Sequence, residues 1–261
     1  MQVLIQVLIY VSVMKKITFK NSRSLNLVGN IYPADSDKII ILAHGFTSDK
    51  SANGRFDRLA EELNKAGFNA LAFDFSGCGE SDDDTVTVGK EVDDLKSAIA
   101  FAEKKGFRKI ALLGVSLGGL VSLKSADGRI STIILWAPVT NAKDTSKRYT
   151  PNQLKEHKQT GKITLIQREG IRKKIVLDGK LLEERQSINQ KELCSGIKCP
   201  VLILHGNKDT RVPLEDSISS MDFLPKDSRM EIIKGAGHGF FDEDLDRFID
   251  LSVRWLEKKL I

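Results

Sequence analysis

A chain of 261 residues, 41% apolar and 29% charged, is long enough to bury a substantial core and too mixed in composition to be disordered or membrane-embedded. Its formal net charge of +5 sits in one segment: residues 140–195 hold 13 Lys or Arg against 7 Asp or Glu. That basic stretch carries no aromatic platform and no nucleic-acid motif, so it reads as a solvated face and argues against nucleic acid as a partner.

Residues 1–13, MQVLIQVLIYVSV, are strongly apolar. They are too few to span a bilayer, and they lack the basic n-region and small-residue cleavage site of a signal peptide. Met14 followed by KKITFK reads like a start. The leader is therefore expected to be an apolar extension or an added edge strand, which would offer a pairing edge for a homodimer, with a membrane-associated anchor as the alternative. No stable membrane insertion is expected.

KKITFKN and SLNLVGNIYP form an expected antiparallel pair closed by Pro33. Apolar runs follow at 38–45, 69–75, 109–116, 131–138, 200–206 and 229–237. Most are continuously apolar, as strands buried on both faces require. Helical spacing separates them: Val92, Leu95, Ile99 and Ala102 share one face, and Leu245, Phe248, Ile249, Trp255 and Leu256 another. Strands alternating with helices predict a mostly parallel, doubly wound α/β sheet, in one domain over 14–261.

The alternation breaks between Trp136 and Pro200. An amphipathic stretch at TPNQLKEHKQ is followed by KITLIQREGIRKKIVLDG, a predicted hairpin turning at Arg168–Gly170, and then another helix. An insertion of about 140–195 at the carboxyl end of a strand suggests a small cap over a site. Cys78, Cys194 and Cys199 form no C-x-x-C pair, which favours free thiols and a reducing, cytoplasmic setting; a local link between the last two is compatible with their spacing.

LLGVSLGGL, residues 112–120, carries the chemistry. Gly-x-Ser-x-Gly is a weak pattern alone, but here it follows a buried strand and opens a helix, the setting of a nucleophile elbow. Gly114 and Gly118 are needed because side chains there would collide with the neighbouring strand and helix. Ser116 then lies at a helix amino terminus, where the dipole favours developing negative charge.

A serine nucleophile needs a base, and the base an orienting group. Of four histidines, His157 falls in the polar insertion, while His44 and His205 sit at strand ends and read as structural. His238, in GAGHGFF, lies on a glycine-rich loop after the last strand, free to reach over the sheet edge. Asp209, in HGNKDTRVP, follows another strand and is the candidate acid. The order Ser116, Asp209, His238 suits this architecture. The backbone amides of Leu117 and of Phe46, in AHGFTSDK, are placed to bind the oxyanion, and Gly45 would leave room for the substrate carbonyl.

HGF at 44–46, DFSGCGES at 74–81, GVSLGG at 114–119, HGNKDTRVP at 205–213 and GAGHGF at 235–240 together resemble the α/β-hydrolase superfamily of serine hydrolases. Within it the chain looks like the feruloyl (cinnamoyl) esterase-like carboxylesterases, on the DFSGCGES loop and the hairpin-bearing cap. The resemblance implies Ser116 as nucleophile, His238 as base, Asp209 as acid and the Phe46 and Leu117 amides as oxyanion hole. It departs at Cys78, where the family loop usually carries histidine.

The implied reaction is two-step acyl transfer on a small-molecule carboxylic ester, without metal or organic cofactor. A monoacylglycerol lipase or a thioesterase shares this triad and differs in pocket shape. A peptidase of the acylaminoacyl type would usually carry a further large domain, and Ser116 argues against the cysteine nucleophile of a dienelactone hydrolase and the aspartate of an epoxide hydrolase or dehalogenase. The reading from another class is a non-catalytic binding module, against which the complete triad argues. The basic insertion and its RKK run at 172–174 add the expectation that the cap favours anionic or phenolic acids.

Overall fold

The computed structural model describes residues 13–168 and 170–260. The expectations for the apolar leader therefore fall almost wholly outside the described residues, as does Glu169 of the hairpin turn.

The chain opens with β1 (Lys15–Lys20) and β2 (Asn26–Tyr32), then β3 (Lys38–Ala43), α1 (Arg55–Lys65) and β4 (Asn69–Phe73). A two-residue β5 (Thr85–Val86) precedes α2 (Val88–Lys104), β6 (Lys109–Val115), α3 (Leu117–Ser125) and β7 (Ile130–Trp136). The segment after β7 carries α4 (Pro151–Thr160), β8 (Lys162–Ile166), β9 (Lys174–Asp178), α5 (Lys180–Gln186) and α6 (Gln190–Ser195). The alternation then resumes with β10 (Val201–Gly206), α7 (Leu214–Ser220), β11 (Arg229–Ile233) and α8 (Asp242–Lys259).

The large sheet runs β1-β2-β4-β3-β6-β7-β10-β11, antiparallel at β1/β2 and β2/β4 and parallel thereafter. The continuous apolar runs occupy its centre: every residue of β4 and β10 is buried, whereas β1 and β11 are largely exposed edges. Side chains on β3 alternate between two cores. Ile39, Ile41 and Ala43 pack towards α2 and α3, while Ile40 and Leu42 pack towards α1 and α8. Phe56, Leu59 and Leu63 of α1 and Phe248 and Leu256 of α8 are fully buried there, each contributing about 1.5–3 kcal/mol of apolar transfer.

Strand order reverses at β3: its successor β4 lies on one side and β6 on the other. Loops leaving the carboxyl ends of β3 and β6 diverge at that switch point, and a crevice opens between them. The candidate site falls there.

Three details differ from the sequence expectation. The run at 229–237 is a strand only to Ile233, because Gly235 takes φ 87° and turns the chain. The predicted hairpin does form, β8 antiparallel to β9, but it is not a free flap. Val176 and Leu177 of β9 also pair in parallel with Thr85 and Val86, making a small sheet β5-β9-β8. Two short helices follow it where one was expected. From α5 the Glu184 carboxylate accepts the amides of Val88 (2.7 Å) and Gly89 (3.1 Å), so the inserted segment caps the amino terminus of α2. Among the described residues no helix is long and apolar enough to cross a membrane.

Candidate active site

Strand β6 ends at Val115, and Ser116 takes φ 56° and ψ −112° before α3 begins. This left-handed conformation is costly for a residue with a Cβ, so the surroundings must hold it. The Ser116 amide donates to Trp136 O (2.9 Å), and its carbonyl accepts from Gly119 (3.1 Å) and Val139 (3.0 Å). A Cβ at Gly114 would overlap Gly118 O and Ser122 Oγ, and one at Gly118 would overlap the carbonyls of Ala43 and His44. Both glycines are therefore required by close approach, α3 lying against the end of β3, as the sequence pattern suggested.

His238 is carried on the loop between β11 and α8. Its Nδ1 donates to Asp209 Oδ2 at 2.7 Å, across 29 positions of sequence. That bond leaves Nε2 as the basic nitrogen. Two loops are sewn together to achieve it: Lys208 N donates to Ala236 O (2.8 Å), and Gly235 N donates to Asn207 Oδ1 (2.7 Å). Gly206 admits the crossing, since a Cβ there would overlap the carbonyls of Ala236 and Gly237.

The Asp209 side chain is fully buried. Its Oδ1 accepts the amides of Arg211 (2.7 Å) and Val212 (3.0 Å), and its Oδ2 also lies 3.2 Å from His205 Nε2. Burial pushes this carboxyl upward, but the hydrogen bonds from His205, His238 and the two amides outweigh it and hold the group well below the usual carboxylate range. His205 faces two acceptors through Nε2, Asp209 Oδ2 and Val212 O, so Nε2 carries the proton and Nδ1 accepts from Ser217 Oγ (2.7 Å). The sequence reading placed His205 as structural and missed that it shares the carboxylate with His238. His44 is structural as expected: buried, its Nδ1 donates to Gly45 O (2.9 Å) and its Nε2 accepts from Phe75 N (3.2 Å). His157 packs at Gly179 in the inserted segment.

Phe46 and Leu117 border the same cavity as Ser116 and His238, and among the described residues their amides have no acceptor. The cavity measures about 980 Å³, at the upper end for a small-molecule site. At Gly45 a Cβ would make only ordinary contacts, with Val115 O at 3.4 Å and Ser116 Cβ at 3.5 Å, so close packing does not by itself require glycine there.

The DFSGCGES stretch braces the loop that carries Phe46. Asp74 Oδ1 accepts from Lys50 N (2.6 Å), and Oδ2 accepts from Lys50 Nζ (2.8 Å) and Glu80 N (2.9 Å). Gly79, at φ 47°, is obligatory because a Cβ would overlap the Asp74 carboxyl. Cys78, where the resemblance led us to look for histidine, is buried and its thiol is pushed up by burial. All three cysteines are free, so the local Cys194–Cys199 link is not made. Gln167, in the hairpin turn, donates to Thr47 O (2.7 Å) and ties the inserted segment to the Phe46 loop.

The family model described as serine aminopeptidase, S33 (Hydrolase_4) matches residues 34–195. Among curated proteins, a monoacylglycerol lipase of Mycolicibacterium smegmatis is 23% identical over 279 residues, covering 93% of this chain and 97% of that one. Among solved structures, the α/β hydrolase GrgF from Penicillium sp. sh18 superposes with a TM-score of 0.79 at 19% identity, covering 95% of this chain and 99% of that one. Est1E from Butyrivibrio proteoclasticus, solved with ferulic acid bound, has a TM-score of 0.76 at 21% identity and covers 94% and 99%. At such identities the structural likeness establishes the α/β-hydrolase fold.

Proposed function

The chain belongs to the serine aminopeptidase S33 family of α/β hydrolases, and from that premise we propose that it is a serine carboxylesterase acting on small-to-medium carboxylic esters. The observation that carries this reading is the strained Ser116, on one cavity with a His238 whose Nδ1 is held by a buried Asp209. Similarity to a monoacylglycerol lipase supports an ester as substrate, and likeness to a structure holding ferulic acid supports hydroxycinnamoyl esters as one class to assay.

In the proposed mechanism His238 Nε2 takes the Ser116 proton as Oγ attacks the ester carbonyl. Asp209 holds the imidazole tautomer and stabilises the imidazolium. The Phe46 and Leu117 amides bind the oxyanion, each such donor lowering the barrier by about 3 kcal/mol. The C–O bond breaks, the alcohol leaves with the proton from His238, and water attacks the acyl-enzyme through the same base. The inserted segment, tied down at Gln167 and Glu184, forms the roof of the cavity and so sets which acyl groups enter.

Hydrolysis of p-nitrophenyl butyrate by the wild type and by Ser116→Ala tests the reading. Activity abolished by the substitution, with fluorophosphonate labelling lost alongside, is the expected result. Activity that survives would make Ser116 structural.

A further inference from the structure

One arginine at the cavity has no internal explanation. Arg185 of α5 is 7% exposed and borders the same cavity as Ser116. Its Nη1 is buried without an acceptor, and among the described residues its guanidinium makes no hydrogen bond or ion pair. Buried guanidinium groups are normally saturated, because five donors stripped of water are costly to leave unmet.

Two other arginines have acceptors for most of their donors, although Arg23 Nε is itself buried without a hydrogen bond and only approaches Asp84 Oδ2 at 3.3 Å. Arg172, in the RKK run behind the expectation of anionic acids, bonds Gly79 O, Ser81 O and Asp83, and it does not line the cavity. Arg23 bonds Asp93, Asp94 and Ser76. Arg185 differs in lining the cavity together with a second cation, Arg148. Burial, and then the charge of Arg148, bring it down to about 10, so it remains a cation at neutral pH. Asp216 acts on it from a distance, but the Asp216 Oδ1 is taken by Asn141 (3.3 Å). Arg148, Lys143 and Arg211 line the same cavity, whose acidic members are Asp49, Asp216 and Asp244.

We propose that Arg185 and Arg148 form an anion subsite of the cavity that receives a carboxylate carried by the ester substrate. A carboxylate supplies the two coplanar acceptors that a guanidinium fork takes, and it neutralises Arg185, a cation desolvated by the fold, from a cavity that the exposed Arg148 also lines. The substrates so selected are half-esters of dicarboxylic acids, with the anion on the acyl side, or esters of carboxylate-bearing alcohols. The inference rests on the esterase reading for its reaction, though the subsite itself is a matter of binding.

The test compares kcat/KM for mono-p-nitrophenyl adipate with that for its neutral methyl ester. A second arm compares 4-carboxyphenyl butyrate with its methyl ester, to separate an acyl-side from an alcohol-side anion. Each result is read as the anionic-to-neutral ratio within one variant, so that a general loss of activity cancels. Arg185→Met is expected to lower the ratio about tenfold or more in at least one arm, as loss of a charged hydrogen-bond partner implies. Arg185→Lys should recover part of it, Arg148→Gln should lower it less, and added salt should lower it in the wild type alone. Should Arg185→Met fail to fold, Arg148→Gln carries the comparison.

Calorimetric titration of free adipate and 4-hydroxybenzoate into Ser116→Ala, with and without Arg185→Met, separates the two ideas. Binding that depends on Arg185, with no ester hydrolysed by the wild type, would sink the esterase reading and keep the subsite. Turnover with an unchanged ratio in both arginine variants, and no carboxylate binding, would overturn the subsite and keep the esterase.

Discussion

The indole of Trp136 donates to the carbonyl oxygen of His238 at 3.1 Å. Trp136 ends β7 and is fully enclosed, stacked on Phe240 with ring centroids 4.5 Å apart and packed on Phe248. The loop that carries the proposed base is thereby fixed to the strand beside the elbow, whose Ser116 amide donates to the carbonyl of the same tryptophan. One residue thus sets the position of both partners in the proposed proton transfer.

Trp136→Phe keeps most of the stacking and removes the indole donor. A net hydrogen bond contributes about 1 kcal/mol, so kcat for p-nitrophenyl butyrate should fall about fivefold while KM stays near the wild-type value. A rise in KM with unchanged kcat would show that the indole shapes the pocket instead.

Asp209→Asn tests the orienting carboxylate. Asparagine is nearly isosteric, but it can present an amide nitrogen to the imidazole and favour the wrong tautomer. A drop in kcat of about 10³- to 10⁴-fold is expected, with circular dichroism unchanged. Retained activity would pass the orienting role to another group and leave Asp209 as a turn residue bonding Arg211 and Val212.

Asp74 is the buried anchor of the loop before the proposed oxyanion hole. Removing it strands Lys50, whose side chain is 5% exposed, with Glu80 as its remaining partner. Breaking a buried pair on one side costs about 3–5 kcal/mol. Asp74→Ala should lose that amount in urea denaturation, and the surviving folded fraction should show reduced kcat. A loss below 1 kcal/mol would mean that water reaches the Lys50 ammonium.

Sequence pattern showed the central sheet clearly, because strands buried on both faces are almost continuously apolar, as β3, β4 and β10 are apart from Lys38, Asn69 and His205. It showed the elbow equally well, since only glycine fits at 114 and 118. What it could not show depends on contacts distant in sequence. Thr85–Val86 is too short to signal a strand, and becomes one only because β9 lies alongside. His205 seemed idle because its bond to Asp209 is a matter of side-chain direction. Asn207, whose role the HGNKDTRVP pattern does not signal, and Glu184, which lies in no motif, tie segments together through contacts distant in sequence. The basic insertion was legible as charge, but charge counts did not distinguish Arg172, saturated away from the cavity, from Arg185 within it.

Glu91 lies on α2, fully enclosed, with Oε2 lacking any partner among the described residues. Burial, reinforced by Asp94 and Glu184, raises its carboxyl well above the ordinary 4.5. A raised carboxyl is protonated in the folded chain at pH values where the unfolded chain has already released the proton. Its contribution is therefore most favourable below about 4.5, and stability is lost as pH climbs from there towards the folded value. Glu91→Gln removes the titration and keeps the shape. Midpoints of urea unfolding should rise above wild type at about pH 8, and the gap should close as pH falls towards 4.5. Parallel curves across that range would show that Glu91 finds a hydrogen-bond donor or a water in solution and is charged in the fold.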